Sequence, residues 1–345
     1  MIKKSKKIHP VKFPSELRMD MVGGDWVVVA TGRARRPETF KQEKRVVEKI
    51  SKKDCPFCNL SKQEKPTLIF NKGRKMANGP WTTVVVPNKY PAFLPYPELN
   101  ERTEGKLHKK MNAVGFHEVV ITFDHQRQLA QFSIEEIKEV FDVYQQRYLD
   151  LMDKKFVNHI SIFHNHGREA GSSISHPHSQ IITTPLIDID LQAALDRSKN
   201  YYEKVGECIY CRLNKWEKKI KKRIVFENNG FLVVCPFASK TAFEVIISPK
   251  KHLTYFEKIK EEEKWNLAEA FQKALSKLYK GLNNPNYNFY LHTAPCVAED
   301  NSYYHWHWTI LPKTAIPAGF EIGTRMEIST IEPEKAAEYL RKQQL

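Results

Sequence analysis

Residues 163–182, FHNHGREAGSSISHPHSQII, decide the reading of this chain. They hold four of its thirteen histidines, two glycines and four serines. The densest part is Ser175-His176-Pro177-His178-Ser179-Gln180. Two histidines one residue apart point to the same face of a regular strand, and a proline between them can twist them apart. One imidazole can then be held by a partner while the other faces a cleft. The plainer reading is a polar loop with incidental histidines, but the rest of the chain supplies partners for both.

Working outward, residues 160–163 read as a strand that feeds this stretch. Before it lies a helix: Ser133 and Glu136 fit a capping box, and Ile134, Ile137, Val140, Phe141, Tyr144, Tyr148 and Leu151 recur at helical spacing. Before the helix, residues 118–123 read as a strand ending at Asp124-His125, and residues 82–87 as another that enters Asn88. Residues 98–114 read as a long polar loop. The strand Trp26–Ala30 is followed by Gly32-Arg33-Ala34-Arg35-Arg36-Pro37, a basic cluster placed as a phosphate clamp or as a solvated loop.

The second half repeats this order. Residues 231–235 and 243–247 read as strands, followed by Lys251-His252. A helix follows with Trp265, Ala268, Phe271, Leu275 and Leu278 on one face. Then come a strand, Tyr287–His292, and His305-Trp306-His307-Trp308. From His125 to His176 is 51 residues, and from His252 to His305 is 53. The match predicts a duplicated α+β unit, helices packed on antiparallel sheets, with domains at 1–195 and 196–345.

Composition narrows the function. The 345 residues are 41% hydrophobic with no run of about 18 apolar residues, so no membrane span is expected. Residues 1–7 are basic with no apolar region behind them, which is no secretory signal and points to the cytoplasm. The net charge of +15 is spread along the chain. It reads as solubilising charge or as attraction for small anionic substrates. A nucleic-acid partner is not expected, because no basic stripe with interleaved aromatics is present. Of six cysteines, four form two CxxC pairs, Cys55/Cys58 and Cys208/Cys211. In a cytosolic chain such pairs are metal ligands or redox centres more often than disulfides.

Zinc takes four tetrahedral Cys and His ligands, and a CxxC loop supplies two of them. The first half offers Cys55, Cys58, His125 and His176; the second offers Cys208, Cys211, His252 and His305. Four protein ligands each suggest closed, structural sites, two zinc ions per chain. With His176 turned to a metal, His178 is free to face the cleft. A neutral imidazole can attack phosphorus if its other nitrogen is fixed, usually by a backbone carbonyl. Gly171, Ser172, Ser173 and Gln180 are placed to cradle phosphate oxygens. The second HxH has no Gly/Ser cradle before it, which puts the nucleophile in the first half.

These residues resemble the galactose-1-phosphate uridylyltransferase family, a branch of the histidine-triad superfamily. The resemblance runs from about Arg18 to Lys342. Its motifs are Gly24-Asp25-Trp26-Val27 with Arg33 to Pro37, the CPFC at 55–58, Pro87-Asn88, residues 163–180 and Gly319-Phe320-Glu321-Ile322-Gly323-Thr324. It implies ping-pong nucleotidyl transfer in which His178 forms the covalent intermediate and His176 joins Cys55, Cys58 and His125 in a structural zinc site. It implies nucleotide or phosphate contacts for Arg33, Arg36, Asn88, Asn165, Ser173 and Gln180. It also implies a homodimer in which residues near the C-terminus reach the partner's site. In some members the second metal is iron, which here would use His292, His305 and His307. Thr324-Arg325 stands where some uridylyltransferases carry Tyr-Glu, and Lys89-Tyr90 where they carry Asp-Phe. The expected reaction is exchange between UDP-glucose and a hexose-1-phosphate. The alternatives are an ADP-sugar phosphorylase, to whose zinc-type second site the second CxxC is similar, and a non-catalytic nucleotide-binding module.

Overall fold

The computed structural model describes residues 15–30, 37–41, 51–297 and 300–344; Arg33 and Arg36 lie outside them. The chain opens on an antiparallel pair, β1 (Ser15–Met19) and β2 (Trp26–Ala30). The first half then forms β3 (Leu68–Asn71), β4 (Arg74–Met76) and β5 (Thr83–Pro87), then an exposed hairpin, β6 (Arg102–Glu104) with β7 (His108–Lys110). There follow β8 (His117–Thr122), α1 (Ile134–Met152), β9 (His159–His166) and β10 (His178–Thr184). Helices α2 (Ile189–Val205) and α3 (Ile209–Ile220) lead to β11 (Ile224–Glu227), β12 (Phe231–Val234) and β13 (Val245–Pro249). Then come α4 (Glu261–Leu282), β14 (Tyr287–His292) and β15 (His307–Pro312). The chain closes with α5 (Gly319–Thr324), β16 (Ile328–Ser329) parallel to β2, and α6 (Pro333–Arg341).

The order β8–α1–β9–β10 recurs as β13–α4–β14–β15. The two runs meet where β9 pairs antiparallel with β14, and eleven strands become one sheet, β11-β12-β13-β15-β14-β9-β10-β8-β5-β3-β4. Every pairing in it is antiparallel, so the fold is the expected α+β class. Positions 195 and 196 fall inside α2.

Helices α1 and α4 cover one face. Ser133 caps α1 and exchanges bonds with Glu136, as the capping box predicts. The helical stripe Ile137, Val140, Phe141 and Tyr144 packs with Phe271, Leu275 and Leu278 onto Ile160, Ile162, Ile181 and Trp308. Trp265 departs from the expected stripe: it is exposed, and Lys138 Nζ sits 5.4 Å from its ring centre. Central strands β5 and β8 are apolar on both sides because a second cluster covers their other face: Cys55, Phe57, Val84, Val86, Val119 and Ile121. The polar segment 98–114 is not all loop, since it contains the hairpin β6–β7; its paired residues are exposed on both strands, so no apolar alternation marked it.

Where β8 begins, the chain runs tight against β10. Phe116 N donates to Thr183 Oγ1 at 2.8 Å, and a Cβ on Gly115 would stand 2.1 Å from the Thr183 carbonyl oxygen. Backbone atoms cannot yield as a flexible side chain would. Gly115→Ala is therefore expected to cost about 3 kcal/mol, read as a lower urea midpoint at unchanged slope.

Candidate active site

Alternation along β10 sends Ser179, Ile181 and Thr183 to the helix side and leaves His178, Gln180 and Ile182 on the other face. Across β9, Gln180 stands opposite Phe163; across β8, His178 stands opposite Ile121. Asn165, two residues after Phe163, shares that face.

The His178 ring is held on two sides. Its Nδ1 lies 2.9 Å from the His176 carbonyl oxygen. A carbonyl only accepts, so Nδ1 carries the proton and Nε2 keeps its lone pair. Phe57, from the CPFC loop, packs against the ring with centroids 4.9 Å apart. Burial lowers the His178 pKa below its ordinary 6.5, against the pull of the carbonyl bond, so the ring is neutral near pH 7. Beneath the strand, Tyr144 Oη donates to Ser179 Oγ at 2.5 Å, and His164 Nδ1 lies 3.1 Å from the same oxygen.

The Gly/Ser turn follows β9. Gly167 and Gly171 have φ of +85° and +88°, a region open chiefly to glycine. Ser172 Oγ donates to Ile174 O at 2.8 Å and so is committed to the turn, whereas Ser173 is exposed. Asn165 Oδ1 accepts from Asn288 Nδ2 at 2.8 Å, which leaves its amide nitrogen as the free end. Asn88 follows β5, and its backbone N–H donates to His117 O at 2.8 Å. His178 stands opposite Ile121 near the end of β8, whereas Asn88 follows Pro87, which stands opposite Glu118 near the start of β8; Gln180, opposite Val119, lies between them on β10.

Two groups could hold a metal ion, Cys55–Cys58–His125–His176 and Cys208–Cys211–His252–His305, each with ligand atoms within 4.8 Å of one another. In the first, His176 Nδ1 stands 3.5 Å from both sulfurs and 3.2 Å from His125 Nδ1. His176 Nε2 is taken by the Thr122 carbonyl at 2.6 Å, so Nδ1 presents a lone pair to the group. The second repeats this: His305 Nε2 meets Pro249 O at 2.9 Å and His252 Nε2 meets Ser302 O at 2.6 Å. Burial pushes the Cys58 thiol up to about 11, so thiolate there calls for a cation. The second group is more open, with His252 exposed. Cys208 is the N-cap residue of α3, so this CxxC, unlike the first, opens a helix. The trio His292, His305 and His307 is not gathered: His292 and His307 stack 4.5 Å apart, while His305 belongs to the cysteine group.

His307 repeats the His178 arrangement, its Nδ1 3.3 Å from the His305 carbonyl. It faces a cavity of about 1230 Å³ shared with Tyr290, His292, Lys240 and Glu244, whose carboxyl burial lifts to about 7. No glycine–serine turn precedes it.

One residue close to the transfer positions went unread in the sequence. His117 reaches Gln180 from β8; alternation in HEVVIT gives its face, but only strand register gives its neighbour.

The N-terminal-domain signature of the galactose-1-phosphate uridyl transferase family matches residues 7–188, and the C-terminal-domain signature matches residues 194–344. ADP-glucose phosphorylase from Arabidopsis thaliana is 32% identical over 95% of this chain and 92% of its own. Galactose-1-phosphate uridylyltransferase from Thermotoga maritima is 28% identical over 95% and 98%. The crystal structure of the Arabidopsis ADP-glucose phosphorylase with bound ADP-glucose superposes with a TM-score of 0.83, at 30% identity over 96% of this chain and 99% of that one. Fold and relatives together define a nucleotidyltransferase. The chain belongs to the galactose-1-phosphate uridyl transferase family. Among the described residues no helix is long and apolar enough to cross a membrane.

Proposed function

We propose that the protein is a cytoplasmic enzyme that moves a nucleoside monophosphate between a nucleotide sugar and a hexose-1-phosphate through a nucleotidyl-His178 intermediate, with UDP-glucose as donor. The observation that carries this is the His178 ring: neutral, its Nδ1 proton on the His176 carbonyl, its Nε2 free on the face that bears Gln180 and Asn165. The Nε2 lone pair forms a P–N bond at the donor's α-phosphorus, and the P–O bond to hexose-1-phosphate breaks with the electron pair leaving on oxygen. The proton stays on Nδ1, and the His176 carbonyl supports the positive ring. An oxygen of the second sugar phosphate then attacks phosphorus, and Nε2 recovers its pair. Gln180, Ser173 and the turn at Gly171 and Ser172 donate to the phosphate oxygens; Asn88 and Asn165 bind the nucleotide.

A second reading takes an adenylyl donor with phosphate as acceptor. It is favoured by the similarity to a phosphorylase seen with ADP-glucose, and by Lys89-Tyr90 and Thr324-Arg325. A screen of UDP-glucose and ADP-glucose, each with galactose-1-phosphate or phosphate, tests both. Turnover of UDP-glucose only with galactose-1-phosphate supports the first; ADP-glucose cleaved by phosphate selects the second. No labelled protein with either donor overturns covalent transfer.

Zinc is the metal proposed for both cysteine–histidine groups. Tetrahedral zinc, about 2.3 Å from sulfur and about 2.0 Å from nitrogen, implies S–N edges of about 3.5 Å and N–N edges of about 3.3 Å. The spacings of 3.5 and 3.2 Å in the first group fit, as do 3.4 and 3.5 Å from Cys211 to His252 and His305. With four protein ligands, zinc supplies a structural clamp. The halves 1–195 and 196–345 are read as two copies of one unit sharing a sheet. A homodimer is proposed as the working form: Ile316, Phe320 and Ile322, in and beside α5, are exposed apolar residues, in the segment that the family resemblance assigns to the partner's site.

The same resemblance puts Arg33 and Arg36 on the donor's phosphates. A charge-assisted bond contributes roughly 1.5–3 kcal/mol, so Arg36→Ala is expected to raise the donor KM about tenfold or more. Lysine restores part of the loss, since it cannot pair bidentately. Lys218→Ala, an exposed charge on α3, leaves KM unchanged.

A further inference from the structure

We infer that His117 is a positioning residue that sets which end of the Gln180 carboxamide faces the transferring phosphate; this rests on the nucleotidyl-transfer reading above. His117 opens β8, and its partner across the ladder is Ile182 on β10. Gln180 is therefore its diagonal neighbour on the same face, near enough for two long side chains to meet. They do: His117 Nε2 lies 2.7 Å from Gln180 Oε1.

The direction of that bond follows from the other side of the ring. Ala92 N–H points at His117 Nδ1 from 3.1 Å. A backbone N–H can only donate, so Nδ1 is the acceptor, and the neutral ring carries its proton on Nε2. Nε2–H then donates to Gln180, which identifies the bonded atom as the amide oxygen and leaves the amide NH₂ as the free end. That end matters for an anion. Phosphate oxygens accept hydrogen bonds and do not donate them, so a glutamine with its NH₂ turned outward stabilises them, and one with its oxygen turned outward repels them. A free glutamine samples both orientations. One tied at its oxygen samples only the useful one, so no reorganisation is left for the transition state.

The same residue ties down the segment after β5: Ala92 N–H donates to its ring, Asn88 N–H donates to its carbonyl at 2.8 Å, and Asn88 Oδ1 accepts from Tyr90 N at 2.9 Å. His117 therefore joins residues 88–92 to the strand that carries the nucleophile. Both ring nitrogens are engaged inside the protein, so His117 acts through Gln180 and not on substrate.

The test uses single-turnover formation of the nucleotidyl-protein adduct, with UDP-glucose and ADP-glucose as donors. His117→Phe keeps the ring's bulk and removes both nitrogens; His117→Gln keeps one acceptor and one donor. We expect His117→Phe to slow adduct formation about 30-fold at saturating donor with the donor Kd changed less than about threefold, and His117→Gln to recover most of the rate. In a Gln180→Ala background, His117→Phe should cost less than about twofold more, because the group it positions is gone. Full additivity of the two substitutions, or a wild-type rate in His117→Phe, overturns the inference. So does loss of rate matched only by a lower unfolding midpoint and unrescued by glutamine. A wild-type enzyme that forms no adduct overturns the transfer reading and this inference with it; a wild type that does form one, with an unaffected His117→Phe, overturns this inference alone.

Discussion

Replacing His178 with glycine is expected to lower kcat by about 10⁴-fold or more while the donor binds within a few-fold of wild type. The imidazole is the proposed bond-forming group, and the contacts proposed to hold the nucleotide, from Asn88, Asn165 and the turn at Gly171, remain. The acid limb of the pH profile adds a second check. Attack needs the neutral ring, and burial holds the His178 pKa below 6.5. The rate of adduct formation should therefore stay level as pH falls to 6.5 and decline only below it. A decline centred above 6.5 would assign the nucleophile to another group. Wild-type turnover in the glycine variant, or an acid-stable adduct, would remove His178 from the mechanism.

Cys55→Ser is expected to release one of two zinc ions and to lower stability by about 4–6 kcal/mol, a fall in Tm of about 6–8 °C. Cys55 is buried, and the site it shares joins three distant parts of the chain: the CPFC loop, His125 after β8, and His176 before β10. Losing the clamp frees all three at once. Activity should fall as well, since Phe57 in that loop packs on the His178 ring. Cys235→Ser is the control: Cys235 is buried outside both groups, so stability falls but two metal ions remain by elemental analysis. Acid works in the same direction as the mutation. Protonating His176 or the two thiolates removes the lone pairs that hold the metal, so acid expels it and stability falls with it. One zinc ion or none in wild-type protein prepared without chelator would refute the paired assignment.

Much of the site was legible because its signals are short. A CxxC brings two sulfurs together whatever the fold does, and HPH places two imidazoles two residues apart. The intervals of 51 and 53 residues turned these into two matching sets, and both gather as ligand groups. The capping box of α1 was equally local. The helical stripe of α4 misled at Trp265, because an apolar pattern shows which residues can be buried but not how wide a strip the sheet covers.

By itself, then, the sequence determined the repeated α+β order and the two Cys₂His₂ sets, since each rests on residue type and spacing along the chain; the proposed choice of His178 over His307 rests on the same kind of signal. Tertiary structure decided what depends on strand register. Pairing of β9 with β14 made one sheet of two halves. Pairing of β8 with β10 brought His117 to Gln180, 63 residues away. Carbonyls of Thr122 and His176 selected which nitrogen of His176 faces the metal group and which of His178 is free. A one-residue slip in any of these ladders would turn the side chains to the opposite face, and nothing local in the sequence records the register that prevents it.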